Sequence, residues 1–364
     1  MSDKTKNVVV TITFLVFIIL LFLINVLKPS TEISQTERRK LAQFPKITAQ
    51  RIFNGSFSKE FENYATDQIV KREEFRKLKS VAELNLFRKK DNNGIYEYKD
   101  SIVKIEYPLN ENSILNATNK INEIQKKYFA GKKSYYAIVP DKNYFTDKTK
   151  YISMDYEKLE QIMKQNMQDI EYINLFDCLE LEDYYRTDIH WKQENLQKVV
   201  EKISRQMGFK NRLTKGFTKE PVIEFEGLYA GQLPLATRKD EICILTNETI
   251  QKASVYSYET NKETSIYDKE KLSSNDKYDI YLSGPTPLIT ITNPEAKTDK
   301  ELIVFRDSFA SSLVPLFTEA YRKITLIDIR YMRSKDIEKY IEIKDQEILY
   351  LYSTLVLNNS NILK

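Results

Sequence analysis

An uncharged and strongly apolar run near the N-terminus limits what this chain can fold into. No Asp, Glu, Lys or Arg occurs between Asn7 and Leu27, and most of these positions hold Val, Ile, Leu or Phe. At ~1.5 Å per residue, a helix over residues 8–27 would be about as long as the ~30 Å hydrocarbon core of a bilayer is thick. The run therefore predicts a single transmembrane helix through residues 8–27.

A cleaved signal peptide is the alternative interpretation of this run. The apolar region of a signal peptide usually has about 7–15 residues, which is shorter than the run observed here. Residues 25–30 also offer no site of the small-x-small type at which a signal peptidase would cut. We therefore predict an uncleaved membrane anchor over residues 1–28.

The rest of the chain divides into a polar arm and a longer domain of alternating helices and strands. The arm, residues 29–112, shows short helical and strand patterns. In the domain, residues 113–364, an amphipathic helix precedes a continuous apolar strand at residues 134–139, which is typical of a buried parallel sheet. Residues 215–300 break the alternation. They predict a β-rich insertion, which we expect to lie beside the candidate catalytic site described below. The other predicted elements are helices at residues 57–65, 73–87, 114–129, 156–169, 193–207, 309–321 and 334–343, and strands at residues 170–175, 302–305, 324–329 and 347–352.

The chain has one histidine and one tryptophan, and they are adjacent, at His190 and Trp191. Because no other side chain titrates near neutral pH without perturbation, acid–base chemistry there would have to use His190. Asp188 lies two residues earlier, where a carboxylate can fold back, bond the imidazole and fix its tautomer. A lone histidine beside aromatic residues is also common as a structural residue, so this segment alone leaves both roles open.

Ser308 is the candidate nucleophile. The apolar residues before it predict a short strand and those after it a helix, which puts Ser308 at a strand-to-helix turn. A hydroxyl there is exposed at the carboxyl end of a parallel strand, beside free amides that can stabilise an oxyanion. A helix N-cap is the commoner role for such a serine. The presence of Asp188 and His190 in the same chain favours the nucleophile.

Several motifs, taken in order, resemble those of the DHHW proteins and, more distantly, the periplasmic alginate O-acetylation proteins. The resemblance is carried by Asp-Ile-His-Trp at residues 188–191 and by Arg-Asp-Ser-Phe at residues 306–309. These proteins have an SGNH-hydrolase-like domain in which the Asp-x-His element precedes the Ser, a circular permutation of the usual order. The resemblance therefore implies an α/β, three-layer domain with a parallel sheet. Further similar segments lie at residues 36–45, 57–68, 139–142 and 327–331.

Two positions depart from the family pattern. Ile189 stands in place of the first His of Asp-His-His-Trp, and Arg306 stands where the commonest SGNH pattern has Gly, so the turn carries a side chain. A Gly-x-Asn-Asp block is also absent, which leaves the oxyanion donors beyond the amides near Ser308 undetermined. The candidates for oxyanion or substrate contacts are Arg330, Tyr331, Ser353, Asn358 and Trp191.

The resemblance implies acyl transfer through a covalent intermediate. His190, oriented by Asp188, would take the proton of Ser308, and a second hydroxyl would later displace the acyl group. The implied role is O-acetylation of a cell-envelope or exported polysaccharide, with a multi-pass membrane-bound acyltransferase as the acetyl supplier. A carbohydrate O-acetyl esterase and a non-catalytic envelope scaffold remain alternatives.

The resemblance also places the domain outside the cell membrane of a bacterium, on a single-pass anchor. Charge does not decide this orientation, because Lys4 and Lys6 precede the apolar run while Lys28 and residues 38–40 follow it. Long domains are translocated largely regardless of such charges.

The amino-acid composition bears on whether the protein binds nucleic acid, a metal or a cofactor. The 56 Lys and Arg against 52 Asp and Glu leave a formal net charge of +4, which gives no reason to propose nucleic-acid binding. One His and the widely separated Cys178 and Cys243 form none of the spaced clusters that zinc sites use, and we expect neither a metal nor a cofactor. Carboxylate sites for Ca²⁺ and a disulfide between the two cysteines stay open.

Overall fold

The computed structural model describes residues 2–235 and 239–364. The chain forms two compact units. The first unit contains residues 1–92 and 231–236, and the second contains residues 93–230 and 237–364.

The first unit begins with a 25-residue helix, α1 (Asp3–Leu27), none of whose residues is buried. By length and composition α1 could cross a membrane, as predicted, although a signal sequence meets the same criteria. The predicted helix at residues 73–87 is an α-helix that continues into a π-helical turn, Ala82–Leu86. The remaining elements of this unit are β1 (Ile33–Ser34), β2 (Arg39–Lys40), α2 (Ala49–Phe53), α3 (Ser56–Gln68) and α4 (Arg72–Val81).

The rest of the chain alternates between strands and helices. In chain order its elements are β3 (Ile95–Tyr98), β4 (Ser101–Lys104), α5 (Glu111–Tyr128), β5 (Ser134–Val139), α6 (Tyr156–Asn166), β6 (Glu171–Asn174), α7 (Gln197–Met207), β7 (Thr218–Phe225), α8 (Leu228–Gln232), β8 (Asp240–Thr246), α9 (Glu248–Lys252), β9 (Ser254–Ser257), β10 (Lys262–Ser265), β11 (Leu288–Thr292), β12 (Glu301–Arg306), α10 (Ala310–Leu313), β13 (Lys323–Ile327), β14 (Glu347–Ser353) and α11 (Thr354–Leu357). Short 3₁₀ helices connect them at Lys142–Phe145, Leu181–Asp183, Gln193–Asn195, Lys210–Arg212, Lys269–Ser273, Lys277–Ile280, Val314–Ala320, Ser334–Lys339 and Ser360–Ile362.

An eight-stranded sheet in the order β10-β9-β11-β13-β12-β14-β5-β6 organises the second unit. The five strands from β13 to β6 are parallel, and β11, β9 and β10 extend the sheet in antiparallel fashion. The predicted α/β domain with a parallel sheet is confirmed. The predicted β-rich insertion is split, because β7 and β8 form a separate hairpin while β9 to β11 belong to the main sheet.

Apolar layers cover both faces of this sheet, which makes the domain three-layered. Along β12, Leu302 and Val304 join the layer that contains α7 and α10, whereas Ile303 and Phe305 join the layer that contains α5 and α6. Burial on both faces explains why such strands are continuously apolar in sequence instead of alternating. The carboxyl ends of the parallel strands therefore meet at one edge, and Ser308 follows one of them.

The predicted amphipathic helix at residues 309–321 is wrong in two respects. The segment is a single α-helical turn, α10, followed by the 3₁₀ helix Val314–Ala320. Pro315 has no N–H and cannot continue an α-helical ladder, which accounts for the change of helix type. Of residues 309–321, all but Glu319 are buried, so the segment is enclosed instead of having a solvent face. Residues 334–343 likewise form only the short 3₁₀ helix Ser334–Lys339.

Candidate active site

A continuous chain of hydrogen bonds joins Asp188, His190 and Ser308. The Nδ1 atom of His190 lies 2.6 Å from Oδ1 of Asp188, and its Nε2 atom lies 2.8 Å from Oγ of Ser308. With the proton on Nδ1, the imidazole donates to the carboxylate and can accept the hydroxyl proton of Ser308 on Nε2. The structure therefore brings together the three residues that the sequence suggested, in the arrangement that a nucleophile, a base and an orienting acid require.

Both oxygens of the Asp188 carboxylate are held. Oδ1 accepts a second hydrogen bond from the backbone amide of His190 at 3.1 Å, and Oδ2 accepts one from the amide of Leu228 at 2.9 Å. Asp188 and His190 are both buried. A buried carboxylate with several donors stays oriented. Its hydrogen bond to Nδ1 therefore fixes the position of the imidazole.

Gly227 permits this close approach, and its replacement is expected to disturb the site. A Cβ atom at Gly227 would lie 2.4 Å from the Cβ of Asp188 and 2.5 Å from the carbonyl oxygen of Thr187. We expect Gly227→Ala to destabilise the protein by about 1–3 kcal/mol, as overpacking does, and to slow the chemistry as well. Urea unfolding measures the first effect. Gly216→Ala is the matched control, because an added Cβ there meets nothing within 4 Å, and equal stability of the two variants would contradict the expectation.

Two aromatic rings pack against the imidazole of His190. The ring of Tyr278 stacks on it at 3.8 Å with an interplanar angle of 5°, and Phe309 lies at 5.2 Å with a tilt of 57°. The hydroxyl of Tyr278 is 2.7 Å from Oγ of Ser312, which also accepts the indole N–H of Trp191 at 2.9 Å. Burial raises the pKa of Tyr278, so this hydroxyl stays neutral. The stack leaves the imidazole little freedom to rotate.

Asp307 shapes the turn that carries Ser308. Its Oδ1 accepts the amide of Phe309 at 3.0 Å, and its Oδ2 accepts the amide of Ser353 at 2.7 Å, which ties the turn to the end of β14. The helix α10 has no side-chain cap, and the hydroxyl of Ser308 faces His190 instead. The amide of Phe309 was among the expected oxyanion donors, but its bond to Asp307 already occupies it.

Arg306 fills the place where the SGNH pattern has a glycine. The side chain is fully buried, and its guanidinium donates to Oγ of Ser311 at 2.5 Å and to Oγ1 of Thr286 at 2.9 Å. It also bonds the carbonyl oxygens of Thr286 and Gly284, both at 3.3 Å. Burial lowers the pKa of this guanidinium. The hydrogen bonds of Arg306 therefore stabilise the turn that carries Ser308.

Three of the five candidate oxyanion or substrate residues have side chains that are hydrogen-bonded to the backbone. The indole of Trp191 is buried and bonded to the carbonyl oxygen of Phe309 at 3.0 Å. Ser353 caps α11, and its Oγ accepts the amide of Val356 at 3.4 Å. The side chain of Asn358 joins the amide of Asn110 to the carbonyl oxygen of Pro108.

The other two candidates, Arg330 and Tyr331, lie at the sheet edge that carries Ser308. Strands β12 and β13 are parallel with Phe305 opposite Ile327, so Ser308 and Arg330 each follow three residues later. Nε and Nη2 of Arg330 donate to the Asp328 carboxylate at 2.9 and 2.6 Å, which holds the guanidinium rigidly. Tyr331 is exposed, and its ring centroid lies 5.3 Å from the guanidinium carbon of Arg330.

Two buried charged residues that sequence reasoning missed hold the segment 185–190, here called the His190 loop. The ammonium of Lys142 donates to the carbonyl oxygens of Tyr185, Arg186 and Asp188 at 2.8, 2.9 and 3.2 Å. From the other side, the carboxylate of Asp240 accepts the amides of Arg186 and Thr187 at 2.8 and 2.7 Å and the Thr187 hydroxyl at 2.6 Å. The loop is thus held from one side by the side chain of Lys142 and from the other by the side chain of Asp240.

The sequence held a signal for Lys142 and none for Asp240. Lys142 comes three residues after the end of β5, where the carboxyl ends of the parallel strands meet, and a lysine there is unlike the apolar strand before it. Burial lowers the pKa of Lys142 to about 7, and the nearby Asp240 and Asp188 oppose this change. Asp240 lies 54 residues from Arg186 in sequence, and only the fold brings the two together.

No group of three metal-binding side chains occurs within residues 2–235 and 239–364. Cys178 and Cys243 are both free thiols, so the disulfide that the sequence left open is not formed.

Neither a protein-family model nor a curated protein matches the chain significantly, but solved structures do. A DHHW family protein from Eubacterium siraeum is 17% identical, with a TM-score of 0.62 over 75% of this chain and 94% of that chain. PatB1 of Bacillus cereus, in a structure with a sulfonyl adduct, is 18% identical, with a TM-score of 0.56 over 74% of this chain and 96% of that chain. The O-acetyltransferase domain of Pseudomonas putida AlgJ is 11% identical, with a TM-score of 0.43.

These similarities concern the fold. At that level the resemblance to DHHW proteins that the motifs indicated is confirmed, and so is the prediction of an α/β domain with a parallel sheet and an apolar N-terminal helix.

Proposed function

We propose that this protein is an extracytoplasmic acyltransferase that moves an acetyl group, through Ser308, onto hydroxyls of a cell-envelope or exported polysaccharide. The observation that carries the proposal is the chain of hydrogen bonds from Asp188 through His190 to Ser308. Such a chain raises the nucleophilicity of a serine hydroxyl, and a purely structural cluster has no need of it.

In the first half-reaction, Oγ of Ser308 attacks the carbonyl carbon of the acyl donor. Its proton passes to Nε2 of His190, and the imidazolium that forms is stabilised by Asp188. Collapse of the tetrahedral intermediate breaks the bond to the leaving group, which takes the proton back from Nε2. An acetyl ester on Ser308 and a free donor alcohol or thiol result.

In the second half-reaction, a sugar hydroxyl attacks the acetyl ester. Its proton passes to Nε2 of His190, the C–O bond to Ser308 breaks, and Oγ of Ser308 regains a proton. Arg330 is the candidate side chain for stabilising the oxyanion, because Asp328 holds its guanidinium rigidly at the sheet edge that carries Ser308.

The membrane anchor supports a division of labour between this chain and a membrane partner. With α1 in the bilayer and the catalytic unit outside the cell, acetyl-CoA would not be available to Ser308. A multi-pass membrane-bound acyltransferase would therefore bring the acetyl group across the membrane. The chain shares its fold with PatB1, and one structure of PatB1 carries a sulfonyl adduct. Sulfonyl reagents modify activated serine hydroxyls, so this similarity supports a nucleophilic role for Ser308.

The test is the O-acetyl content of purified envelope and secreted glycans from cells with wild-type protein or Ser308→Ala at equal abundance. A fall in one glycan is expected, and it would identify the acceptor. A rise would show an esterase that uses water in the second half-reaction, and no change in any glycan would reject acetylation. Ser273→Ala is the matched control, because this serine is exposed and its hydroxyl donates to the nearby carbonyl oxygen of Glu270.

A further inference from the structure

The first unit places polar side chains inside and apolar side chains outside. Of its described residues after α1, only eight are buried, and five of these are polar. Soluble proteins rarely bury more polar than apolar side chains in this way. The buried residues are Ser34, Leu41, Pro45, Asp67, Gln68, Ser80, Asn92 and Leu233.

Large apolar side chains are concentrated on the surface of this same unit. Outside α1, the described part of the chain exposes eighteen of them, and twelve lie in the first unit although the second is much longer. Apolar exposure that is concentrated in one unit in this way indicates a unit that contacts something other than water. The twelve, here called the apolar surface, are Ile33, Phe44, Ile47, Ile52, Phe53, Phe61, Ile69, Phe75, Leu78, Val81, Leu86 and Phe87.

The charge of the first unit is positive where the rest of the chain is not. Residues 28–92 contain fifteen Lys and Arg against nine Asp and Glu, although the whole chain has a net charge of only +4. Ion pairs inside the unit already neutralise some of the acids, since Asp67 accepts two hydrogen bonds from Arg39 and Glu37 pairs with Arg72. The Arg39 guanidinium lowers the pKa of Asp67 to about 2, so this pair persists in mildly acidic surroundings.

Side-chain contacts join the end of α1 to this unit. The side-chain oxygen of Asn25, within the last turn of α1, accepts the amide of Val70 at 2.8 Å, and the ammonium of Lys28 donates to the carbonyl oxygen of Gln68 at 3.3 Å. The turn between α3 and α4 therefore lies level with the end of the apolar helix. A cavity of about 330 Å³ beside it has both Ile33 and Ile69 and the cations Lys28 and Lys71 on its wall.

We propose that the apolar surface lies in the headgroup region of an anionic bilayer, so that the first unit is a membrane-surface module and not an arm that extends away from the membrane. Aromatic and aliphatic side chains combined with an excess of Lys and Arg are the composition of interfacial membrane-binding segments. The proposal rests on the membrane anchoring of α1 that the proposed function includes. It does not depend on the chemistry of Ser308.

The test measures contact between lipid and single positions of the full-length chain in vesicles of phosphatidylglycerol and phosphatidylcholine. Ile52 and Ile152 form a matched pair, because both are isoleucines with 51% and 49% exposure and they lie in different units. Each is replaced by Cys in a chain that carries Cys178→Ala and Cys243→Ala, and is then labelled with bimane. Lipids with a nitroxide near the top of the acyl chain should quench the label at position 52 several-fold more than the label at position 152.

Equal quenching at the two positions would overturn the proposal. A second result would also overturn it. If purified protein in vesicles showed no quenching at position 52, and quenching arose only after another membrane protein was added, the surface would be covered by a protein and not by lipid. Quenching at position 52 should fall when phosphatidylglycerol is omitted or when salt is raised, since the cations would lose their attraction. The same measurement on Ser308→Ala should be unchanged, which separates failure of this proposal from failure of the proposed chemistry.

Discussion

Replacing His190 by alanine should lower the rate of acyl transfer by about 10³–10⁴-fold, because the base that accepts the Ser308 proton is removed. No other histidine exists in the chain to substitute for it. The rate is measured as release of p-nitrophenol from p-nitrophenyl acetate by purified protein, with and without a sugar acceptor.

Tyr278→Phe is the control for this prediction. It keeps the ring that stacks on His190 and removes only the hydroxyl bonded to Ser312. We expect its rate to stay within a few-fold of the wild-type rate. If folded His190→Ala retained the wild-type rate, or if glycan acetylation in cells did not change, His190 would be structural and the protein would act as a scaffold.

Lys142→Met should cause the largest loss of stability among single substitutions near the site. The change leaves three carbonyl oxygens of the His190 loop without their donor. Each buried acceptor that is left without its donor typically costs about 1–3 kcal/mol, which gives at least about 3 kcal/mol for the three carbonyl oxygens. We expect a loss of this size in urea unfolding, together with a slower reaction, because Asp188 and His190 lie in the loop that is released.

The exposed Lys198 provides the control for Lys142. Its side chain is half exposed and lies 3.6 Å from Asp183, so Lys198→Met should change stability by no more than about 0.5 kcal/mol. Equal stability of the two variants would show that Lys142 does not hold the His190 loop.

The pH dependence of stability gives a second measure of Lys142. Burial lowers the pKa of this ammonium from 10.5 to about 7. Between these pH values the folded chain binds fewer protons at this site than the unfolded chain, so the free energy of unfolding should rise with pH, by at most about 1.4 kcal/mol per unit. Lys142→Met has no group to titrate and should lose this slope. An identical dependence of stability on pH in both proteins would contradict the lowered pKa of Lys142.

The sequence predicted those parts of the site that local patterns determine. Asp188 lies two residues from His190, so one turn of backbone suffices to bring them together. Ser308 follows an apolar strand, and β5 was located to the residue because burial on both faces makes it continuously apolar after Ser134. The order and spacing of these segments also led to the correct fold class.

Parts of the site that depend on distant contacts could not be read from the sequence. The ammonium of Lys142 bonds backbone carbonyls, which carry no mark in the amino-acid sequence. Gly227 matters because it approaches Asp188, and Arg306 because its side chain reaches Thr286 beneath the turn. The apolar surface of the first unit was hidden for a related reason, since its residues are scattered through a segment that is polar on average.

The most direct test of Ser308 as the nucleophile is peptide mass spectrometry after a brief pulse of p-nitrophenyl acetate and an acid quench. One acetyl group on Ser308 is expected in the wild-type protein, with none at that position in Ser308→Ala and little in His190→Ala. An acetyl group found only on other residues, or no difference between wild type and His190→Ala, would contradict a covalent acyl transfer mechanism at this site.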